Sequence, residues 1–130
     1  MPEHIDRRVA RSMAAVVGPC YTVASMARTL GWTEAEVMEA GDHRRLLMLR
    51  SSDDVLLFPS FQIVDGNVVK GLPRVLLALE AGRDSPWMWA HWLNAECRDA
   101  DPSRKIQYLY EGRLEDAVRD AEHVAWAWNS

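Results

Sequence analysis

The chain has 130 residues, of which 48% are hydrophobic and 26% are charged, and its formal net charge is −4 at pH 7. This composition predicts a folded domain, or two small ones that share a core, and excludes a membrane-spanning or disordered chain. The acidic balance excludes a strongly basic nucleic-acid-binding module. Cys20 and Cys97 lie far apart without spaced partners, and no signal peptide is visible, so we expect a cytoplasmic protein.

The first element expected along the chain is a leading helix from about Glu3 to Val17. Apolar residues recur along it every three or four positions, which places them on one face of a helix. Gly18 and Pro19 follow, and this pair is expected to end the helix.

Two short helices are expected next, over about residues 22–40. Thr22 can cap the first helix and Gly31 can end it, while Thr33 and Glu36 have the spacing of a capping box at the start of the second. The small residue Ala27 lets the two helices approach closely. This spacing is typical of a helix-turn-helix.

After Gly41 the pattern changes from helix-like to strand-like. The short apolar runs at residues 46–49 and 55–58 enclose a polar turn, which predicts a β-hairpin. Asp65-Gly66 is a second hairpin signal. Two helices followed by a hairpin predict a winged helix-turn-helix, and whether the second hairpin joins the wing stays open.

The rest of the chain is expected to form a four-helix C-terminal bundle. The expected helices run from about Gly71 to Gly82, from Trp87 to about Ala95, from Asp101 to Gly112 and from Leu114 to about Trp126. The predicted fold class is therefore mainly α (α+β). Residues 1–70 would form the winged helix-turn-helix with its leading helix, and residues 71–130 a helical partner-binding domain.

The predicted DNA contacts lie around the second short helix. Apart from Thr33, its exposed residues are mostly glutamates, which repel phosphates. Better phosphate contacts are the arginines near the helix ends and the wing, namely Arg28, Arg44, Arg45 and Arg50. The alternative is an acidic helix-turn-helix that serves only as a scaffold.

Tryptophans are the candidate residues for binding a protein partner. Trp87 and His91 share one face of the predicted helix after Ser85, and Trp89 lies on another. These tryptophans are either all core, or Trp87 stays exposed as a partner anchor. Two more, at the chain end, either fold back or dock into a partner or second subunit. The candidates are Trp87, His91, Trp126 and Trp128.

Catalytic signals are weak in this chain. The histidines fall in different elements, and no H-E-x-x-H, Gly-rich phosphate loop or nucleophile elbow occurs. His91 with Cys97 lacks further ligands at metal spacing. We therefore expect no enzyme activity, no metal and no cofactor.

A resemblance to two known families rests on the central stretch. Residues 57–62 read Leu-Phe-Pro-Ser-Phe-Gln, residues 66–76 read Gly-x-Val-Val-x-Gly-Leu-Pro-x-Val-Leu, and Trp92-Leu93 follows. This stretch resembles antitoxins of the Xre/MbcA/ParS toxin-binding family, which pair with RES-domain toxins. The order of elements is also similar to a small actinobacterial winged-helix DNA-binding regulator family.

The antitoxin resemblance implies a function in two parts. The C-terminal helices would block the active site of a RES-type toxin, which degrades NAD, and the helix-turn-helix would bind double-stranded DNA to repress the promoter. A homodimer is the expected assembly. The alternatives are a stand-alone winged-helix regulator, or a protein-interaction module with a non-functional helix-turn-helix.

Overall fold

The computed structural model describes residues 17–95 and 104–129, so the predicted leading helix lies outside the described residues except for Val17. The described part is mainly helical with small antiparallel sheets, which confirms the α+β class. Its elements are β1 Cys20–Tyr21, α1 Val23–Leu30, α2 Glu34–Asp42, β2 Leu49–Arg50, β3 Leu56–Pro59, a 3-10 turn Ser60–Gln62, β4 Ile63–Val64, β5 Asn67–Val68, α3 Leu72–Gly82, α4 Pro86–Asn94, α5 Gln107–Tyr110 and α6 Leu114–Trp128.

Helices α1 and α2 begin where the sequence predicts, and α2 continues to Asp42, two residues beyond its predicted end. Thr22 caps α1, since its Oγ1 accepts a hydrogen bond from the Ser25 amide at 3.1 Å. Thr33 and Glu36 form the predicted capping box, with the Thr33 amide donating to Glu36 Oε1 at 2.9 Å. Gly31 makes the corner between the helices in the left-handed conformation, with φ of 72°.

Strand β3 is the centre of a three-stranded antiparallel sheet. It pairs with β2 through Leu49 and Leu57, which confirms the first predicted hairpin. On its other side it pairs with β1, where Tyr21 lies opposite Phe58. Strand β1 could not be predicted from the sequence, because two residues are too few to show the alternating pattern of a strand.

The second hairpin forms a sheet of its own. Strands β4 and β5 pair with each other, with Ile63 opposite Val68, and belong to a separate two-stranded sheet. Asp65 and Gly66 form the predicted turn, both with positive φ. The hairpin therefore does not extend the sheet of β1, β3 and β2.

One predicted helix is shorter than expected within the described residues. The sequence predicted a helix from Asp101 to Gly112, but in residues 104–112 the helix is limited to Gln107–Tyr110. The Lys105 amide donates to the Ala95 carbonyl at 3.0 Å, and the Ile106 amide donates to the Leu93 carbonyl at 2.9 Å. Because these amides close the end of α4, they are unavailable for a helix of their own.

The core consists of two hydrophobic clusters that meet at β3. Phe58 belongs to the smaller cluster, with Met26 and Val37 of the first helices. Leu57 belongs to the larger cluster, with Leu76 of α3 and further residues of α4 to α6. Adjacent residues of a strand point to opposite faces, so one strand serves both clusters. The larger cluster contains residues from both sides of position 70, and the predicted division there stays a prediction.

Helices α3 and α6 pack closely through small residues. A Cβ added at Gly82 would lie 2.4 Å from Ala125 Cα, so the two backbones are nearly in contact. Helix α6 continues to Trp128, two residues beyond the predicted end. Within the described residues, no helix has the length and apolar character needed to cross a membrane.

Candidate functional site

Arg28 and Thr33 lie at the two ends of the corner between α1 and α2. Arg28 is in the last turn of α1, and both side chains are exposed. Among the described residues, no carboxylate lies within 4.0 Å of the Arg28 guanidinium. Thr33 Oγ1 already accepts a hydrogen bond from the Glu36 amide at 3.0 Å. Arg28 is therefore the better placed of the two to contact an anion.

Arg44 has a different position from the one that the sequence suggested. Its Nε donates to Glu80 of α3 at 2.9 Å, and its Nη2 donates to Asp84 at 3.0 Å. The guanidinium also lies 5.0 Å from the centre of the Trp89 ring. The side chain is 23% exposed. Arg44 therefore ties the end of α2 to α3 and α4, and its contact with DNA stays a prediction.

Arg45 and Arg50 are more accessible than Arg44. Their side chains are 55% and 57% exposed. Arg45 lies 3.9 Å from a carboxylate oxygen of Glu39, and Arg50 lies 2.5 Å from one of Asp54. Exposed ion pairs contribute about 0–1 kcal/mol to stability, so exchanging either carboxylate for a phosphate costs little.

The acidic character of α2 opposes DNA binding along its length. Glu34, Glu36 and Glu39 are all exposed. The hydrogen bond from the Thr33 backbone amide, followed by that of the Thr33 side chain, lowers the pKa of Glu36. Glu36 is therefore ionised at neutral pH and occupies the positive end of the α2 dipole. These carboxylates would repel a DNA phosphate that approached α2. A phosphate would therefore have to bind the arginines beside the helix.

Three of the four predicted partner residues line one groove. Trp87, His91 and Trp128 border a groove of about 370 Å³ between α4 and α6. Trp126 does not line it, although its side chain is 72% exposed on α6. The remaining lining residues are Met88, Trp92, Ala95 and Val124. This groove is mainly apolar, which suits a protein partner better than a nucleic acid.

The tryptophans of α4 have separate roles. Trp89 is fully buried, and its Nε1 donates to the Arg83 carbonyl at 2.8 Å. Trp87 is half-buried, and its Nε1 donates to the Arg50 carbonyl at 3.0 Å. Trp89 is therefore core, whereas Trp87 connects the groove to β2.

Gln62 is a structurally important residue whose role the sequence analysis missed. It is fully buried, and its Oε1 accepts from the Leu47 amide at 2.8 Å. Its Nε2 donates to the carbonyls of Leu47 and Pro59, each at 3.0 Å. The position lies in the Phe-Pro-x-Phe-Gln motif, but a glutamine in a sequence carries no sign that it is buried.

No metal centre is evident in residues 17–95 and 104–129, where no three His, Cys, Asp or Glu side chains converge on one point. The thiol of Cys20 is half-buried, and this burial raises the pKa of Cys20 to about 11. The thiol therefore stays protonated at neutral pH.

Comparison with known proteins yields one structural likeness. No protein-family model matches the chain, and no curated protein matches it. The NMR structure of Rv2175c is similar, with a TM-score of 0.67 and 26% sequence identity over 82% of this chain and 81% of that one. The likeness extends over most of both chains, and the resemblance to antitoxins stays a prediction.

Proposed function

We propose that this is a DNA-binding regulatory protein in which α1, α2 and the β2–β3 hairpin act as a winged helix-turn-helix. The main support is the corner at Gly31, where both helices are capped, together with exposed arginines on the elements around it. Arg28 lies in the last turn of α1, Arg45 follows α2 and Arg50 lies on β2. In the helix-turn-helix mode, the second helix lies in the major groove and neighbouring elements contact the backbone.

The charge distribution indicates how such binding would work. The glutamates of α2 make direct phosphate contacts by that helix unfavourable, so affinity would come from Arg28, Arg45 and Arg50. Binding through few phosphate contacts is weak, and log K falls with log salt by only about 0.9 per contact. A homodimer would double the number of phosphate contacts. We propose that the protein is a homodimer and that it acts in the cytoplasm.

The test is fluorescence anisotropy with a labelled duplex from the gene's own upstream region, at several salt concentrations. The combined variant Arg28→Gln/Arg45→Gln/Arg50→Gln should bind more weakly at every salt concentration. Each lost phosphate contact should reduce the slope of log K against log salt by about 1.

Arg119→Gln is the matched control, because Arg119 is an exposed arginine on α6 that is paired with Asp116 at 3.2 Å. It should leave affinity and slope unchanged. Equal losses in the control and the combined variant, or no binding by the wild type at low salt, would reject the proposal in favour of an interaction module with a non-functional helix-turn-helix.

A second candidate function is neutralisation of a RES-type toxin, as the antitoxin resemblance implies. The observation that favours it over a stand-alone regulator is the groove of Trp87, His91 and Trp128. A partner seated there would also contact Trp87, which is hydrogen-bonded to β2, so toxin and DNA binding could be coupled.

A growth assay separates these two candidates. If a neighbouring reading frame encodes a RES-type protein, its expression should arrest growth and co-expression of this chain should restore it. Trp128→Ala should weaken the rescue, whereas Leu77→Ala, at a 58% exposed position on α3, should not. Full rescue by Trp128→Ala would remove the groove from the partner site.

A further inference from the structure

A second cavity lies between the β4–β5 hairpin and the connection from α5 to α6. Its volume is about 600 Å³, which falls within the range of small-molecule sites, about 300–1,000 Å³. Most of its walls are apolar side chains, contributed by Val64, Val68, Val69, Leu109 and Leu114. The groove of Trp87, His91 and Trp128 has an entirely different lining.

Specific contacts hold the walls of this cavity in place. The Tyr110 hydroxyl donates to the Phe61 carbonyl at 2.5 Å, which ties α5 to the 3-10 turn before the hairpin. Burial raises the pKa of Tyr110, so its hydroxyl keeps its proton and continues to donate. The Val69 amide donates to the Gln62 carbonyl at 2.8 Å and fixes the end of the hairpin. The cavity is therefore formed without a ligand.

The charged residue in the lining of this cavity is a cation. Lys70 is the charged residue of the lining, and its side chain is exposed. Among the residues that the structure describes, no carboxylate lies within 4.0 Å of its ammonium group. Nearby, the Glu111 carboxylate lies 3.7 Å from Arg113, which partly neutralises it. The cavity therefore combines apolar walls with one accessible positive charge.

We propose that this cavity binds a small amphipathic carboxylate, with its hydrocarbon body against Val68, Leu109 and Leu114 and its carboxylate at Lys70 Nζ. An apolar body gains free energy from burial against these walls. A carboxylate forms a charge-assisted hydrogen bond with an unpaired ammonium, and it can remain partly hydrated at the cavity mouth. This site does not depend on the proposed DNA binding.

The test is a titration of the ¹⁵N-labelled full-length protein with octanoate, followed by NMR. Octanoate should bind saturably with a Kd below about 1 mM and shift the amides of Val68, Leu109 and Leu114. Octylammonium, which has the same chain and the opposite charge, should bind at least about tenfold more weakly. Absent saturation, or equal binding of both probes, would overturn the proposal.

Two pairs of variants test the walls and the charge separately. Val64→Trp should fill the cavity and abolish binding, while Leu77→Trp, at an exposed position outside the lining, should not. Lys70→Gln should remove the preference for octanoate over octylammonium, and Lys70→Arg should keep it. An unchanged preference in a folded Lys70→Gln protein would also overturn the assignment.

Discussion

The region of α1 and α2 and the region of α3 to α6 are stabilised in different ways. The first packs around the smaller cluster and depends on the two capping boxes and the Gly31 corner. The second packs around the larger cluster, where Gly82 allows α3 and α6 to come close. The first region exposes charged side chains, and the second exposes apolar grooves. The difference favours the proposal that the two regions bind different classes of partner.

The two regions are joined by a small number of polar contacts. Arg44, after α2, binds Glu80 and Asp84, and Trp87 of α4 donates to the Arg50 carbonyl. These contacts place ion pairs and hydrogen bonds at the boundary between the regions of the two hydrophobic clusters. A change on one side can therefore reach the other, and the following variants test which contacts matter most.

The largest effect is expected for Gln62→Leu. It would leave the amide and carbonyl of Leu47 and the carbonyl of Pro59 without this partner in a buried site. Each unsatisfied buried group costs about 1–3 kcal/mol, so we expect a loss of at least about 3 kcal/mol in the free energy of unfolding. Urea denaturation measures it. Asn67→Ala, which removes an exposed amide, is the control, and equal losses would contradict the role of Gln62.

The next effect compares one glycine from each region. Gly82→Ala places a Cβ against the backbone of Ala125, which cannot rotate away, so we expect a loss of at least about 2 kcal/mol. Gly41→Ala meets the flexible thioether of Met48 but also lies 2.9 Å from Met48 Cβ, so we expect a smaller loss of about 1–2 kcal/mol. Thermal unfolding followed by circular dichroism measures both. A larger loss of stability in Gly41→Ala than in Gly82→Ala would show that α3 and α6 can separate easily.

A smaller effect is expected for Arg44→Met. Methionine keeps an apolar stem near Trp89 but loses both hydrogen bonds to carboxylates, at a cost of about 1–2 kcal/mol in stability. Arg45→Met, at a more exposed position, should cost less than about 0.5 kcal/mol. For DNA affinity we expect the opposite order, with the larger loss in Arg45→Met, because Arg45 is proposed to contact phosphate and Arg44 is not. An equal loss of DNA affinity in both variants would show that Arg44 also belongs to the DNA-binding surface.

The smallest effect concerns pH and Glu36. The folded protein lowers the pKa of this carboxyl, so its ionised form stabilises the fold above the unfolded pKa. This contribution disappears as pH falls through the lowered pKa. Glu36→Gln should therefore be slightly less stable than the wild type at pH 7, and the difference should shrink as the pH falls towards about 2. If the stability difference between Glu36→Gln and the wild type stayed constant across this pH range, the charge of Glu36 could not be its cause.

Local features of the fold could be predicted from the sequence, and long-range contacts could not. Thr33, Gly31 and Asp65-Gly66 act on their immediate neighbours, so their spacing was enough to predict caps, corner and hairpin. The contacts of Arg44 could not be predicted, because its partners are 36 and 40 residues away. The late start of α5 at Gln107 has the same origin, since amides before it bind the end of α4.

The candidate sites, too, could be predicted only where their residues are close in the sequence. Trp87 and His91 were assigned together because they are four residues apart on one helix, and Trp128 joins them through the packing of α6. Trp126 was grouped with Trp128 because the two are close in sequence, although a helix turns residues two apart to different faces. The cavity beside Lys70 was missed, because its walls come from separate elements.

The most direct test of the proposed DNA surface is an NMR titration with the duplex from the gene's own upstream region, at about 50 mM salt. The account predicts amide shifts at Arg28, Thr33, Arg45 and Arg50, and none at Trp128 in the groove. Shifts confined to the groove, or no shifts at all, would contradict it.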